Sequence, residues 1–302
     1  MAAKKPVITV AGSLNMDLTA YVETLPQPGQ TLSSKKFVVS PGGKGANQAV
    51  AASRLGAVVS MYGCIGMDSY GQQLVQSLQQ SEVLVENVAS VEENTGLALI
   101  LVEDSSENEI VVVPGANHGF TTDVWRQMDH SFLKRSDTLL LQHEIPMETL
   151  EQIARDAHHA GVRAILNPAP ARKLSADLLA CIEILIPNQT ELAQIQADGF
   201  SMNDLFSLGI QAILETRGKD GVFIYTKHDT QHVEGLTVDA IDAVGAGDTF
   251  VAAFAVAYSA GADVLKAARY ANCAAALSTT RSGAQASFPY AEEITNLGVS
   301  YS

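Results

Sequence analysis

The chain has 302 residues, 47% of them hydrophobic and 17% charged, with 23 Gly and 10 Pro, which is globular composition with enough length for one large domain and a sizeable core. Its 19 Lys and Arg stand against 33 Asp and Glu, a formal net charge of −14, and that argues against a general nucleic-acid-binding role, which needs a basic surface. An anionic ligand must therefore be gripped locally, by backbone N–H groups and a few placed cations.

VITVAGS (7–13) is a short apolar run ending in a Gly turn and predicts a first, central strand. LTAYVETL (18–25) and SKKFVVS (34–40) alternate apolar and polar residues around PQPG, which predicts an exposed hairpin. After PGGKG comes a small-residue helix, ANQAVAASRLGA, ended by Gly56, and then a buried strand, VVSMYGCIG. Asp68 is placed to cap the helix YGQQLVQSLQQS. A second alternating pair, 96–104 and 107–115, follows. From about Thr121 the pattern becomes regular βα: helix TDVWRQMDHSFLKR, strand DTLLLQ, helix METLEQIARDAHHAG, strand VRAILNPAP, short helix SADLLACI, strand EILIPN, helix QTELAQIQ, and LFSLGIQ leading to strand AILETRG. VFIYTKH and TQHVEG form a further hairpin, and Ala-rich helices over 249–260 and 264–279 follow DAIDAVGAGD.

This alternation predicts an α/β fold, a three-layer doubly wound, mostly parallel sheet. The two early hairpins do not fit it. They are expected to form a small β-sheet lid, with strands inserted at about 17–40 and 95–114 into a single domain spanning 1–302. Cys64, Cys181 and Cys273 are far apart, without a CxxC spacing, as in a reducing compartment. The start lacks a long apolar signal region, and the most apolar stretch, 250–258, is too short to span a bilayer. A cytoplasmic protein with no membrane partner is expected.

The chemistry concentrates in five segments. In DAVGAGDTF (242–250), Gly245 and Gly247 permit a tight turn before a helix start, a ready anion site, and Asp248 stands at that start. A carboxylate beside an anion site makes sense if it takes a proton from an attacking hydroxyl; a plain helix cap is the competing reading. SPGGKGANQA (40–49) exposes backbone N–H groups at Gly42, Gly43 and Gly45, with Lys44 and Asn47 nearby, and is neither a Walker A loop nor GxGxxG. GSLNMDL (12–18) puts Asn15 and Asp17 at the carboxyl end of the first strand, the usual ligand crevice, where an Asp accepts well from sugar hydroxyls. IPNQTE offers Asn188 and Glu191, three apart at a helix start, to order water on Mg²⁺ or simply to cap the helix. ETRGKDG offers Arg217 and Lys219 to phosphate or to solvent. The histidines show no metal-ligand spacing, and no GxSxG nucleophile elbow occurs.

In this order, GSLNMD, SPGGKGANQAVAASRLGA, GCIGMDSYG, NPAPA, IPNQTE, ETRGKDG, DAVGAGDTF and TRSGAQASFP resemble the ribokinase-like family of carbohydrate kinases, over about 7–289. The resemblance implies ATP-dependent phosphorylation of D-ribose at O5, with Mg²⁺ or another divalent cation and K⁺, and a homodimer formed through the lid. It implies sugar contacts from Asn15, Met16, Asp17, Gly43, Lys44, Gly45, Ala46, Asn47 and Glu144. Asp248 would be the base, with Gly245, Ala246 and Gly247 as the anion loop. Asn188, Glu191, Thr216, Arg217, Gly218, Lys219, Asp220, Gly221, Gly247 and Asn272 would hold the nucleotide. Asp242, Val244, Ser278, Arg281, Gly283 and Ser287 would surround the monovalent cation, mostly through backbone oxygens. One departure is visible: Ala243 stands where the family often has Thr. Two rivals remain on sequence grounds. One is a family kinase for another sugar or a nucleoside, against which Tyr21 and Phe37 as the evident aromatics of the first hairpin argue. The other is a non-catalytic sugar-binding protein.

Overall fold

Runs such as 7–11 and 138–142, apolar at nearly every position, are satisfied only where both faces of a strand are covered, as in a parallel strand between helical layers. The computed structural model, which describes residues 5–103 and 108–301, has them in that setting. In chain order the strands are β1 (Val7–Ala11), β2 (Asn15–Val22), β3 (Lys36–Gly42), β4 (Val58–Gly66), β5 (Leu84–Val91), β6 (Gly96–Glu103), β7 (Asn108–Val113), β8 (Thr138–Gln142), β9 (Arg163–Asn167), β10 (Ile184–Leu185), β11 (Ala212–Thr216), β12 (Val222–Thr226) and β13 (Thr230–Val233). Among the described residues nine of these form one sheet in the order β13-β12-β11-β10-β9-β8-β1-β4-β5. It is parallel from β5 to β11, and β12 and β13 close it as antiparallel strands.

Helices cover both faces. On one side the Ala-rich helices Lys44–Arg54, Ala246–Ser259 and Val264–Ser278 build one apolar core with residues such as Val10, Leu140 and Leu214. On the other, Met147–His159, Gln189–Ala197 and Met202–Ser207 build a second, with Leu139, Leu141 and Ile213. This is the expected three-layer arrangement. Ala246–Ser259 is apolar nearly all round and buried from Asp248 to Ala257, as a helix enclosed by neighbours must be. Small side chains let it lie close against Lys44–Arg54.

The second sheet has the order β3-β2-β6-β7. β3 and β7 are antiparallel to their neighbours, whereas the two pairs join through parallel pairing of β2 with β6. The alternating segments are thus one continuous sheet, and its first strand begins at Asn15, earlier than the alternation alone indicates.

Three elements differ from the sequence reading. β5, half-buried at the sheet edge and interrupted by Glu86 and Asn87, has too mixed a pattern to stand out. The helix expected after Thr121 breaks into Thr122–Gln127 and Ser131–Arg135. Asp129 accepts from the Ser131 N–H (2.8 Å) and hydroxyl (2.7 Å), a local alternative to helix that short acidic side chains offer. A last helix, Ala291–Asn296, was also not anticipated.

Chain order runs β1, β4, β5 outward on one side and β8 to β11 on the other, so the sheet switches direction between β1 and β8. Ligands of doubly wound sheets bind beyond the carboxyl ends of the strands at such a point. The segments 12–17 and 142–144 lie there.

Candidate active site

Gly245 adopts φ +77°, a left-handed conformation, immediately before helix Ala246–Ser259. A side chain there would be strained, and its Cβ would come within 2.7 Å of Phe288 Cε1. The turn sets Asp248 in the first helical turn, buried at 7% exposure. The Ala246 N–H donates to Ala243 O (3.2 Å). That corrects the expectation that it is free for an anion; the Gly247 and Asp248 amides belong to the turn where a helix has no internal acceptor. A Cβ on Gly247 would meet nothing within 4 Å.

Two amides hold the Asp248 carboxylate. Asn47 Nδ2 donates to Oδ2 (3.0 Å) and Gln48 Nε2 to Oδ1 (3.1 Å), each such bond to a charge contributing about 1.5–3 kcal/mol. Each amide is oriented in turn. Gln285 Nε2 donates to Asn47 Oδ1 (3.2 Å), and Gln142 Nε2 to Gln48 Oε1 (2.6 Å).

Around this carboxylate lies the segment from β1 into β2. Asn15 is buried, with its Oδ1 accepting from Asn117 Nδ2 (2.7 Å). Asn117 also accepts from the Leu14 N–H (2.8 Å). Asp17 is half-buried on β2. Glu144 Oε2 accepts from Ser13 Oγ (2.5 Å) and the Lys44 N–H (3.0 Å). The glycine-rich helix entry departs from expectation. Its amides do not point into open space: Gly45 N–H donates to Ser13 Oγ (3.3 Å) and Ala46 N–H to Ser13 O (2.9 Å). Gly45 is required by this close approach, since its Cβ would stand 2.6 Å from the Ser13 N. Ala46 and Met16, expected as sugar contacts, have side chains buried in the apolar core and so offer a ligand only their backbone.

Asp17, Glu144, Asp248 and Glu191 all act electrostatically on the Lys44 ammonium. Burial opposes the Lys44 charge, but these carboxylates outweigh it and hold its pKa above the usual lysine value. Burial, with repulsion from Glu144 and Asp248, pushes Asp17 up to about 7. Burial also raises Asp248, against the pull of Lys44 and the two amide bonds.

Two cavities lie near the start of helix Ala246–Ser259. One of about 290 Å³ is bordered by Lys44, Asn188, Glu191, Gly245 and Asp248. A larger one, about 610 Å³, is lined by 218–221, by 235–238, and by Phe250, Asn272, Ala275, Ala276 and Thr279. They share Thr216, Ala243 and Gly247, so the two cavities adjoin at the helix start. The linings at 235–240 and 275–279 escaped the sequence reading, since small apolar residues carry no chemical signature.

Asn188 and Glu191 form a reciprocal cap, both bonds 2.8 Å, while also bordering the smaller cavity. Asn272 Nδ2 donates to Glu234 O (2.7 Å). Arg217 is a correction: its guanidinium makes two bonds to Glu215 (3.0 and 2.9 Å) and covers the Phe223 ring, and it is absent from the cavity lining that contains Gly218, Lys219, Asp220 and Gly221.

The residues expected around a monovalent cation are brought together. Asp242 accepts from the Val244 N–H (2.9 Å) and the Gly283 N–H (2.8 Å), and Thr279 O accepts from the amides of Ile241 and Asp242. This binds the 241–245 turn to the 279–287 loop. Ser278 and Ser287 use their hydroxyls locally, on Ala275 O and Ala284 O. The Arg281 side chain pairs with Glu293, which leaves only its backbone for an ion. Among the described residues no three His, Cys, Asp or Glu side chains converge as a metal cage.

The family model described as "pfkB family carbohydrate kinase" matches residues 5–291. The chain belongs to this family. Among its relatives, a ribokinase of Haemophilus influenzae is 39% identical, the match covering 96% of this chain and 97% of that protein. A deoxyribokinase of Salmonella typhi is 33% identical over 95% and 96%. The structure of an Arabidopsis thaliana ribokinase complexed with ribose and ATP superposes with a TM-score of 0.87 at 30% identity, covering 97% of this pfkB-family chain and 99% of that one.

Proposed function

We propose that this chain transfers the γ-phosphoryl group of ATP to O5 of D-ribose, giving D-ribose 5-phosphate and ADP, with Asp248 as general base. The observation that carries this is the position of a buried carboxylate at a helix start, within electrostatic reach of Asp17 and Glu144 and bordering a cavity that shares three lining residues with a larger one. Near-full-length similarity to proteins named ribokinase supports the choice of sugar.

Asn15, Asp17, Gly43, Lys44, Gly45, Asn47 and Glu144 hold the sugar, and Asp17 and Glu144 accept from hydroxyls. The purine and ribose of ATP lie in the larger cavity, with Thr216, Gly218, Lys219, Asp220, Gly221 and Asn272 along it. The phosphates turn past Gly247 toward Asn188, Glu191 and Lys44. The O5 proton passes to the Asp248 carboxylate as O5 bonds to the γ-phosphorus; the bond from that phosphorus to the β–γ bridging oxygen breaks, and ADP leaves with the electron pair. First-turn amides and Lys44 steady the moving charge. Mg²⁺ fits a site built from ATP phosphates with Glu191 and Asn188 through water. K⁺ fits the turn at Asp242 and Val244 with backbone oxygens of Ser278, Arg281, Gly283 and Ser287, an oxygen-only set suited to a hard cation; it would polarise the anion loop.

The four-stranded sheet acts as a lid and as a homodimer surface. Phe37, Val39, Leu99, Val111 and Val113 lie on one face by register, and all are exposed. No described helix is long and apolar enough to cross a membrane, and three free cysteines fit a cytoplasmic setting.

The deciding experiment is Asp248→Asn. Phosphoryl transfer is expected to fall about 10²–10⁴-fold, with ribose binding by calorimetry largely kept; turnover near the parent's would end the base assignment. A coupled assay with ribose, 2-deoxyribose, fructose and adenosine, with and without K⁺, tests the substrate and the ion. The Salmonella deoxyribokinase relative makes 2-deoxyribose the informative competitor.

A further inference from the structure

The amides around Asp248 all point one way. Gln142 donates to Gln48, and Gln48 Nε2 donates to Asp248 Oδ1 (3.1 Å) and to Asn167 Oδ1 (3.3 Å). Gln142, the last residue of β8, is fully buried, and its own Oε1 finds no hydrogen-bond partner among the described residues. An added Cβ at Gly12 would lie 2.0 Å from that oxygen, so the glycine makes room for it.

Buried polar atoms without partners are rare and need a reason. A leucine at position 142 would fill similar space and leave no orphaned oxygen. What the glutamine supplies is the N–H on its other limb. A carboxamide can present either end to its surroundings, and oxygen facing a carboxylate repels it. With its oxygen pinned by Gln142, Gln48 can offer Asp248 only donors.

Taking Asp248 as the base of the proposed reaction, the geometry points to Gln48 and Gln142 as a two-step clamp that keeps that carboxylate ionised and aimed. They are positioning residues: Gln48 acts on the base directly, and Gln142 acts by fixing which end of Gln48 faces it. Other charges also face Asp248. Lys44 of the neighbouring helix favours its ionised form, Glu144 from the turn after β8 and Asp17 on β2 disfavour it, and Glu191 acts on Lys44. The clamp adds to this balance, so its loss must show as a shift in pH dependence and not only as a lower rate.

The test is single-turnover phosphoryl transfer in the complex with ATP and ribose, from about pH 5 to 9, where a shifted carboxylate titrates. The ternary complex is used because Asp17 itself titrates near 7 in the free protein. Gln48→Met removes the donor at similar volume. Its acid limb is expected to move up by about one pH unit, so that the rate at the parental midpoint drops about fivefold, approaches a loss of about tenfold at lower pH and recovers at higher pH. Gln142→Leu is expected to shift the limb in the same direction by less. Gln142→Glu, which turns the Gln48 amide toward itself, is expected to shift it most. Ribose affinity should stay within about threefold, as for loss of transition-state interactions alone.

A parental midpoint in both Gln48→Met and Gln142→Leu, with or without a lower plateau, would reduce the pair to packing and overturn the clamp. If Gln48→Met does not fold, Gln142→Leu decides alone, being one residue removed from the base. An active Asp248→Asn variant would sink the base assignment and the clamp with it. An inactive Asp248→Asn beside unshifted glutamine variants would sink the clamp only.

Discussion

Asp17 has a carboxyl pushed up to about 7 by burial and by the carboxylates of Glu144 and Asp248. Its value in the folded chain lies above the ordinary 3.8, so the native state holds a proton that the unfolded state has lost. Asp17 therefore makes folding stability fall as pH rises from about 4 to about 7. Sugar binding by Asp17, as proposed, runs the other way, because hydroxyl donors favour the ionised form. Ribose affinity is expected to weaken about tenfold per pH unit below 7, with proton release on binding; calorimetry in two buffers of different ionisation enthalpy measures it. Asp17→Asn should bind weakly and lose the pH slope, and a slope that survives would remove Asp17 from the sugar site. Residues of this kind were legible because an acid after a strand ending in a glycine turn is a chemical anomaly. Gln48, Gln142, Asn117 and Gln285 were not. Each is an amide whose partner is far away in sequence, 94 residues for Gln142 with Gln48 and 200 for Gln48 with Asp248, and nothing local distinguishes it from a solvated side chain.

Helix Ala246–Ser259 combines two properties that pull against each other: it is apolar enough to be enclosed, and in the proposed reaction its first turn meets a polyanion. Gly247 is where the two meet, exposed and with nothing within 4 Å of an added Cβ. Gly247→Ala is expected to leave thermal stability unchanged or slightly raised, since alanine is favoured over glycine in a helix by up to about 1 kcal/mol. Phosphoryl transfer should nevertheless fall, because the new methyl intrudes on the lining that the two cavities share. Unaltered kinetics would place the phosphates elsewhere. At this scale the sequence reading did well wherever a segment had one clear period, as in the parallel strands and long helices. It did less well where polar residues interrupt the pattern, as at Asp129 and along β5. The parallel pairing of β2 with β6 lay beyond it, because a pairing between distant segments leaves no mark in either one.

For the whole molecule, the small sheet carries an exposed apolar row, with Phe37 at 58% and Val111 at 61% exposure. A sheet face of this kind invites pairing with a second copy. Val111→Lys combined with Phe37→Lys is expected to yield monomers in sedimentation velocity with the main sheet intact by circular dichroism; an unchanged mass would place any self-association elsewhere. The small sheet has a further property. Asn15 and Asp17 sit on its own strand β2, joined to β1 by only 12–14, and the β3 strand runs directly into Gly43 and helix Lys44–Arg54. A cover that merely shut over a finished pocket could swing away and leave the pocket behind. Here any outward swing of β2 takes Asp17 along, so on the proposed reading uncovering the sugar and releasing its handholds are one mechanical event.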